Sequence, residues 1–165
     1  MRKSTLACMM IIALIFSFGC KKDKSETTPK DTTGFSVKYD GAVWTASITT
    51  AIYSTDSDVT QILASNSTAT TQVRIAFGGS SLGIYAFTTD TFENYGTFIT
   101  NSGGLDSYST WMAPESGILG QVLITEFDKT NHTISGTFNF DGYNMDDVKK
   151  IFTEGKFTKV KYVTQ

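Results

Sequence analysis

The sequence predicts an all-β fold, an antiparallel β-sandwich or a barrel-like sheet, from its composition and its hydrophobic pattern. The chain is rich in Thr, Ser, Phe and Tyr, contains only 2 prolines, and shows no long helical periodicity. This combination is typical of β-sheet proteins. In residues 132–141, apolar and polar side chains alternate with a period of two, as in a strand that packs one face on a core. These patterns do not distinguish a sandwich from a barrel.

Two hairpins are predicted within the domain. Residues 35–39 alternate apolar and polar side chains, the pair Asp40-Gly41 follows, and residues 42–47 resume an extended pattern. An Asp-Gly pair between such runs indicates a two-residue turn, because both central residues take a positive φ. Further along, residues 120–128 are apolar on both faces, which predicts a central strand, and a polar turn joins them to the run 132–141.

The other elements are predicted from shorter alternating runs between Gly, Asn and Pro turn signals. A break in alternation between Phe157 and Val160 predicts a bulge in the last strand. One helix is predicted at residues 145–152, because Asp146 and Asp147 suit a first helical turn. The remaining strands are predicted at residues 59–65, 71–77, 83–87, 95–100, 108–112 and 155–162.

Residues 1–19 have the organisation of a bacterial export signal. Arg2 and Lys3 form a short basic start, and an uninterrupted run of apolar and small residues follows. The run is shorter than the roughly 20 apolar residues of a membrane-spanning helix. Gly19 and Cys20 then precede a charged stretch, an arrangement that resembles the cleavage box of bacterial lipoproteins. We therefore predict a lipoprotein signal peptide at residues 1–19 and lipid attachment at Cys20.

Cysteine usage agrees with this interpretation. The chain has 2 cysteines, and Cys8 lies inside the apolar run, so Cys20 has no disulfide partner in the predicted mature chain. Acyl chains on Cys20 would hold the protein at the membrane, because each buried methylene contributes about 0.8 kcal/mol. Ser17 and Phe18 depart from the usual box, which has leucine and a small residue there. The alternative interpretation is an ordinary signal peptide with a chance cysteine, or an uncleaved anchor.

The predicted mature chain has two parts. Residues 20–34 are rich in Lys, Asp and Thr and contain no large apolar residue, which predicts a disordered tether after the lipidated N-terminus. Residues 35–165 have the length and composition of one all-β domain. The mixture of charges after Cys20 resembles the signals that direct Bacteroidota lipoproteins to the outer membrane, so we expect an exported protein that is anchored there.

Four motifs of the domain stand in a fixed order: FSVKYDGAVWTAS from Phe35, G-x-Y from Gly83, GQVLITEFDKTNHTISGTFNF from Gly120, and FTEGKF from Phe152. Together they resemble an uncharacterised all-β domain family found on Bacteroidota lipoproteins. The resemblance covers most of the predicted mature chain, and the segment from Gly120 is its most specific part. It implies an all-β fold and carries no catalytic residue over, because the family has no assigned activity.

Residues suited to catalysis or metal binding are sparse. The only histidine, His132, is expected to pack at the end of its strand rather than beside a nucleophile and a carboxylate. Zinc usually takes several His and Cys ligands, which this domain lacks. The acidic segments 56–58 and 141–147 do not have EF-hand spacing, and Asp and Asn favour turns. We therefore expect no catalytic residue, no metal and no cofactor.

Carboxylates for glycan cleavage are present, but their separation cannot be read from sequence, so a small glycan-active enzyme remains the least favoured alternative. These candidate carboxylates are Asp90, Glu93, Asp106, Glu115 and Glu126.

Aromatic residues between positions 92 and 112 suggest a binding site. Tyr95, Tyr108 and Trp111 lie among Asn, Ser, Asp and Gly, and flat rings beside hydrogen-bonding groups suit sugar or peptide ligands. The alternative is that these rings fill the core. Nucleic acid is not an expected partner, because the net charge is −2 and becomes −4 once Arg2 and Lys3 are removed.

The sequence thus predicts a lipid-anchored lipoprotein of the cell envelope that is not an enzyme and that binds a glycan or a peptide. The first alternative is a structural accessory lipoprotein that docks a protein partner. In both cases the membrane is reached through the lipid on Cys20.

A Cys20→Ala variant tests the anchor. In a Bacteroidota host, we expect the unaltered protein to begin at Cys20 with acyl mass and to partition into detergent, and the variant to lack the acyl mass and leave the membrane fraction. A Cys8→Ala variant is the control and should behave as the unaltered protein. Mass spectrometry of the mature N-terminus decides, and an unaltered protein that emerges without acyl mass would show the prediction to be wrong.

Overall fold

The computed structural model describes residues 33–90, 92–100 and 106–165. Its strands form one sheet in which most neighbours are antiparallel, and the only helical element in these residues is one turn of 3₁₀ helix at Thr110–Met112. The prediction of an all-β fold is therefore confirmed. The strands are β1 Gly34–Tyr39, β2 Ala42–Thr45, β3 Ile48–Ser54, β4 Val59–Ser65, β5 Thr71–Gly78, β6 Gly83–Thr88, β7 Tyr95–Thr100, β8 Asp106–Ser109, β9 Ile118–Asp128, β10 Thr133–Tyr143 and β11 Lys149–Thr164.

Strand β11 closes the sheet into a ring. One of its edges pairs with β10 along the strand, and the other pairs first with β1 and then, in parallel, with β3, where Tyr162 lies opposite Ala51. Strand β10 reaches β8 through the pair Tyr143 and Ser109. The circuit β3-β4-β5-β7-β8-β10-β11 therefore returns to β3, and the pairs β1–β2 and β9–β6 extend from it as arms. The fold has the barrel-like closure that was one of the two predicted forms.

Aromatic rings fill the space inside the ring. Phe140 stacks on Phe152 with ring centroids 4.3 Å apart, Phe98 lies 4.9 Å from Phe152, and Tyr39 lies 4.6 Å from Phe98. The three phenylalanines are at most 1% exposed. Burying each such side chain contributes about 1.5–3 kcal/mol, so this cluster supplies a large part of the stabilisation of the fold.

Three phenylalanine rings of the core lie directly against glycines of other strands. A Cβ at Gly96 would lie 2.6 Å from the Phe140 ring, one at Gly136 would lie 2.6 Å from the Phe157 ring, and one at Gly155 would lie 2.6 Å from the Phe138 ring. Real Cβ atoms do not approach other atoms this closely, so each ring occupies the space that a side chain would need. The glycines thus fix the places of the rings.

The first hairpin is as predicted. Tyr39 pairs with Ala42, and the two residues between them, Asp40 and Gly41, have φ angles of 49° and 79°. Both central residues of the turn therefore have positive φ, the condition on which the Asp-Gly prediction rested.

The second hairpin is confirmed with one correction at its turn. Strand β9 runs between β10 and β6, which confirms its predicted central position. His132 does not begin the strand: it lies in the turn with a φ of 53° and is exposed, while its ring contacts that of Tyr162 at 5.3 Å. Asp128 organises the turn by accepting hydrogen bonds from Thr130 and Asn131, and those from Asn131 lower the pKa of Asp128 below its ordinary value of 3.8.

The predicted helix at residues 145–152 is wrong, because its second half belongs to strand β11. The amide oxygen of Asn144 accepts hydrogen bonds from the backbone N–H groups of Asp146 and Val148, which forms a turn, and Lys149 then pairs with Tyr143. The bonds of the Asn144 side chain replace those of a first helical turn.

Two other predictions need correction. The strand predicted at residues 108–112 ends at Ser109, and the next three residues form the 3₁₀ helix. Strand β3 was not predicted at all, although it makes the parallel pair that closes the ring. The predicted bulge in β11 is confirmed by a register shift around Lys159, whose φ is 48°, and a second shift occurs around Glu154.

Residues 1–32 lie outside the described residues, so the signal peptide, Cys20 and the tether up to Thr32 remain predictions. Strand β1 begins at Gly34, one residue before the predicted start of the domain at residue 35. Within the residues that the structure describes, no helix has the length and apolar character needed to cross a bilayer.

We predict that Gly136→Ala lowers the free energy of unfolding by about 1–3 kcal/mol, because the added methyl group overpacks the core. Its Cβ would stand 2.4 Å from the carbonyl oxygen of Leu123 as well as against Phe157. Gly117→Ala is the control, since nothing lies within 4 Å of a Cβ there. Urea unfolding measures both, and equal midpoints for the two variants would contradict the proposed role of glycine.

Candidate functional site

The outward surfaces of the two halves of the sheet differ in charge. Strands β1, β10 and β11 carry a charged face, and strands β3, β4, β5, β7 and β8 carry a face with few charges. The charged face consists of Lys38, Asp40, Asp141, Lys149, Glu154 and Lys156.

Most charges of the charged face are already paired. Lys38 Nζ lies 3.0 Å from a carboxylate oxygen of Glu154, and Lys149 Nζ lies 2.6 Å from one of Asp141. Shallow depressions open beside these pairs, and one of about 320 Å³ is lined by Gln121, Thr137, Asn139 and Lys156 among others. Because the ions neutralise one another and are largely exposed, this face is best explained as a solvated surface.

The second surface, which we call the low-charge face, follows from the pairing register. Outward positions of one strand lie opposite outward positions of the next, so three rows of side chains cross the strands. Arg74 is the single charged residue among them. The rows are Val163, Ile52, Gln61, Ala76 and Tyr95; Thr50, Leu63, Arg74 and Thr97; and Ile48, Ser65, Gln72, Ile99 and Ser107. Ala76 and Ser65 are covered by their neighbours and buried.

Arg74 stands at the centre of the low-charge face. It is half-buried and lies between Leu63 on β4 and Thr97 on β7. Among the described residues it makes no hydrogen bond, ion pair or cation–π contact. A carboxylate of Glu93 lies at the end of β5, where one of its oxygens is 3.5 Å from the position that a Cβ of Gly78 would take. The guanidinium of Arg74 therefore offers five N–H donors that the described residues do not use.

Tyr95 and two glutamines surround this arginine. Tyr95 pairs with Ala76 and Gln72 precedes Arg74 by two positions, so each is one row away from it on the same face. Diagonal neighbours in a sheet lie about 7–8 Å apart, within reach of long side chains. Gln61 is exposed in the row of Tyr95. The face thus combines a phenol ring, amide groups and one cation on the outer surface of the sheet.

The three aromatic residues predicted as a binding site do not share one surface. Tyr95 faces outward on β7, whereas Tyr108 pairs with Phe98 and so faces inward from β8. Trp111 lies in the 3₁₀ helix and is 42% exposed. Ligand binding by these residues remains a prediction, and the structure assigns Tyr95 alone to the low-charge face.

Tyr108 takes part in a different arrangement. The Nζ atom of Lys150 lies 5.2 Å from the ring centre of Tyr108 and 5.5 Å from that of Tyr39, and it also contacts the carboxylate of Asp40. Such cation–π contacts hold a lysine side chain in place. This cluster ties the turn of the first hairpin to strands β8 and β11, which is a structural role.

The acidic groups considered for metal binding do not form a cluster of metal ligands among the described residues. In the described parts of the chain, no three side chains of His, Cys, Asp and Glu gather in a group that could hold a metal. Asp58 accepts a hydrogen bond from Tyr53, Asp141 is paired with Lys149, and Glu126 accepts a bond of 2.6 Å from Ser135. These carboxylates have structural partners.

Sequence reasoning missed Arg74, Gln61 and Gln72. The signal was present in part, because Arg74 is the one charged residue in the alternating run 71–77 and takes an outward position there. Its isolation became visible only when the neighbouring strands and their register were known.

The structure defines the class of protein as an all-β domain with a ring-closed sheet and two outer faces of unequal charge. The family described as "Domain of unknown function (DUF6252)" matches the chain over residues 31–161, and the chain belongs to this family. No curated protein and no solved structure matches the chain.

The ion pair between Lys149 and Asp141 on the charged face leads to a prediction about the pKa of Lys149. The hydrogen bond to Asp141 raises the pKa of Lys149 above its ordinary value of 10.5. The stabilisation from this pair is therefore complete below pH 10.5 and is lost as the pH rises through the higher pKa of the folded state. We expect Asp141→Asn to return the Lys149 pKa toward 10.5 in an NMR titration of the lysine side chain, with Lys129, outside the charged face, as the control.

Proposed function

We propose that the chain is a lipid-anchored lipoprotein of the cell envelope whose domain binds a glycan on the low-charge face. Cys20 would carry the lipid, and residues 20–34 would link the membrane to the domain. The observation that carries the glycan assignment is the composition of this face, in which Arg74 is the one charge among hydroxyl, amide and aliphatic groups.

The chemistry of the face suits sugars. A sugar ring presents apolar C–H groups on its flat sides and hydroxyl groups at its edge. Tyr95 supplies a ring for stacking, and Gln61 and Gln72 supply amide groups beside it. One amide N–H of Gln72 already donates to the carbonyl oxygen of Ala69, and the Thr97 hydroxyl is hydrogen-bonded to that of Ser109. Together the ring and the amide groups can satisfy both aspects of a sugar ring.

The dimensions of the face also favour a glycan. Five strands about 4.8 Å apart span about 19 Å, and three rows of outward residues about 6.7 Å apart span about 13 Å. With the side chains included, the surface is on the order of 400 Å², about half of the roughly 800 Å² that each partner contributes to a stable protein interface. A short oligosaccharide fits this area.

One observation favours a second candidate function, the docking of a protein partner. Ile48, Ile52 and Val163 are 56%, 36% and 55% exposed, and Ile52 pairs directly with Val163 at the corner of β3 and β11. An apolar strip of this kind, at the β3 and β11 side of the low-charge face, can contribute to a protein interface. An accessory lipoprotein would use it.

Two matched glutamine variants test the proposal. We expect the protein to bind members of a glycan array and expect Gln61→Ala to weaken that binding roughly threefold to tenfold, the value of one or two lost hydrogen bonds. Gln121→Ala is the control, because Gln121 is also exposed in a strand but lies beside the charged face. Isothermal titration calorimetry measures both variants.

Three results would contradict the proposal. If no glycan binds, the glycan assignment fails and partner docking should be tested instead with substitutions at Ile52 and Val163. If Gln121→Ala weakens binding and Gln61→Ala does not, the site lies on the charged face. A Tyr95→Ala variant that folds and binds as the unaltered protein would remove the stacking role of its ring.

A further inference from the structure

We propose that Arg74 selects glycans that carry a singly charged oxyanion, a carboxylate or a sulfate ester. This inference rests on the proposed function and specifies its ligand. The argument starts from an imbalance of charge: the low-charge face places one cation at its centre and no anion among the residues of its three rows.

The position of Arg74 in the sheet strengthens its attraction for an anion. The residue is half-buried between Leu63 and Thr97, so its neighbours exclude part of the water around the side chain. Charge attraction is stronger where water is partly excluded. The described residues offer Arg74 no carboxylate partner, in contrast to Lys38, Lys149 and Lys150, each of which has one. Lys129 and Lys156 also have no ion pair among the described residues, but both are exposed, whereas Arg74 is half-buried.

Geometry favours an oxyanion over a neutral acceptor. The guanidinium is planar and presents paired N–H donors, which match the two oxygens of a carboxylate in a bidentate arrangement, and a sulfate ester presents similar oxygen pairs. One cation balances one negative charge, so a monoanionic group fits better than a doubly charged phosphate monoester. The neighbouring Tyr95 and Gln72 would contact the sugar that carries the anion.

Two pairs of oligosaccharides distinguish the sources of the charge. The carboxylate pair is tetragalacturonate and its methyl ester, and the sulfate pair is a κ-carrageenan tetrasaccharide and its desulfated form. The full chain in detergent is titrated with each member by calorimetry, after an array of neutral, uronic and sulfated glycans has shown which class binds. Within each pair the sugar backbone is the same, and the charged groups are esterified or removed.

We expect the charged member of at least one pair to bind roughly 10- to 100-fold more tightly than its neutral counterpart. Arg74→Gln should abolish this difference while weak binding of the neutral member remains, and Arg74→Lys should keep part of it, since the charge stays but the bidentate geometry is lost. Urea midpoints confirm that the variants fold. Lys156→Gln, on the charged face, is the matched control and should keep the full difference.

The outcomes separate the inference from the proposed function. If glycans bind but neutral and charged members bind equally, or if Arg74→Gln keeps the preference, the inference is overturned and the glycan assignment stands. If Lys156→Gln abolishes the preference, the charge is recognised elsewhere and the inference is also overturned. If no oligosaccharide binds at all, the proposed function fails, and this inference fails with it.

Discussion

The contact between phenylalanine rings and glycines is the constraint on which the rest of the fold depends. Phe140, Phe138 and Phe157 each lie against a glycine of another strand, at distances that leave no room for a Cβ. Each ring occupies the space that a side chain would need at its glycine, and close packing of this kind gives a core one well-defined arrangement. A change of register would move these rings away from their glycines and against residues that carry a Cβ.

This core leaves the outer faces free to differ. Most of the buried positions that the structure describes hold apolar side chains, and the charged groups lie on the outside. On one side lysines and carboxylates form pairs such as Lys149 and Asp141, and on the other Arg74 stands alone among uncharged neighbours. A surface of paired ions is satisfied in water, whereas a lone half-buried guanidinium gains from a partner. We therefore expect specific binding on the low-charge face and not on the charged face.

Local patterns predicted most of the strands, because side-chain alternation and the Asp-Gly turn are properties of short segments. The predictions failed where the alternation of apolar and polar residues does not match the alternation of buried and exposed positions. Strand β3 was missed because its outward positions hold Ile48 and Ile52 while Thr49 faces inward, the reverse of the usual arrangement. The predicted helix failed because Asn144 bonds to the backbone of the next residues. The low-charge face could not be predicted, since it depends on which strands become neighbours, and no local pattern contains strand order.

The three partners of strand β11 have a consequence for the folding pathway. An ion pair joins β1 to β11 through Lys38 and Glu154, which are 116 positions apart in the chain. The ring closes only when β3 pairs with β11, the last strand of the sheet in chain order. Contacts between such distant segments have a high entropic cost before they contribute stability, and proteins rich in them fold slowly. An emerging chain cannot complete its core until β11 is available. For the export that we propose, this delay keeps the chain unfolded while it crosses the membrane.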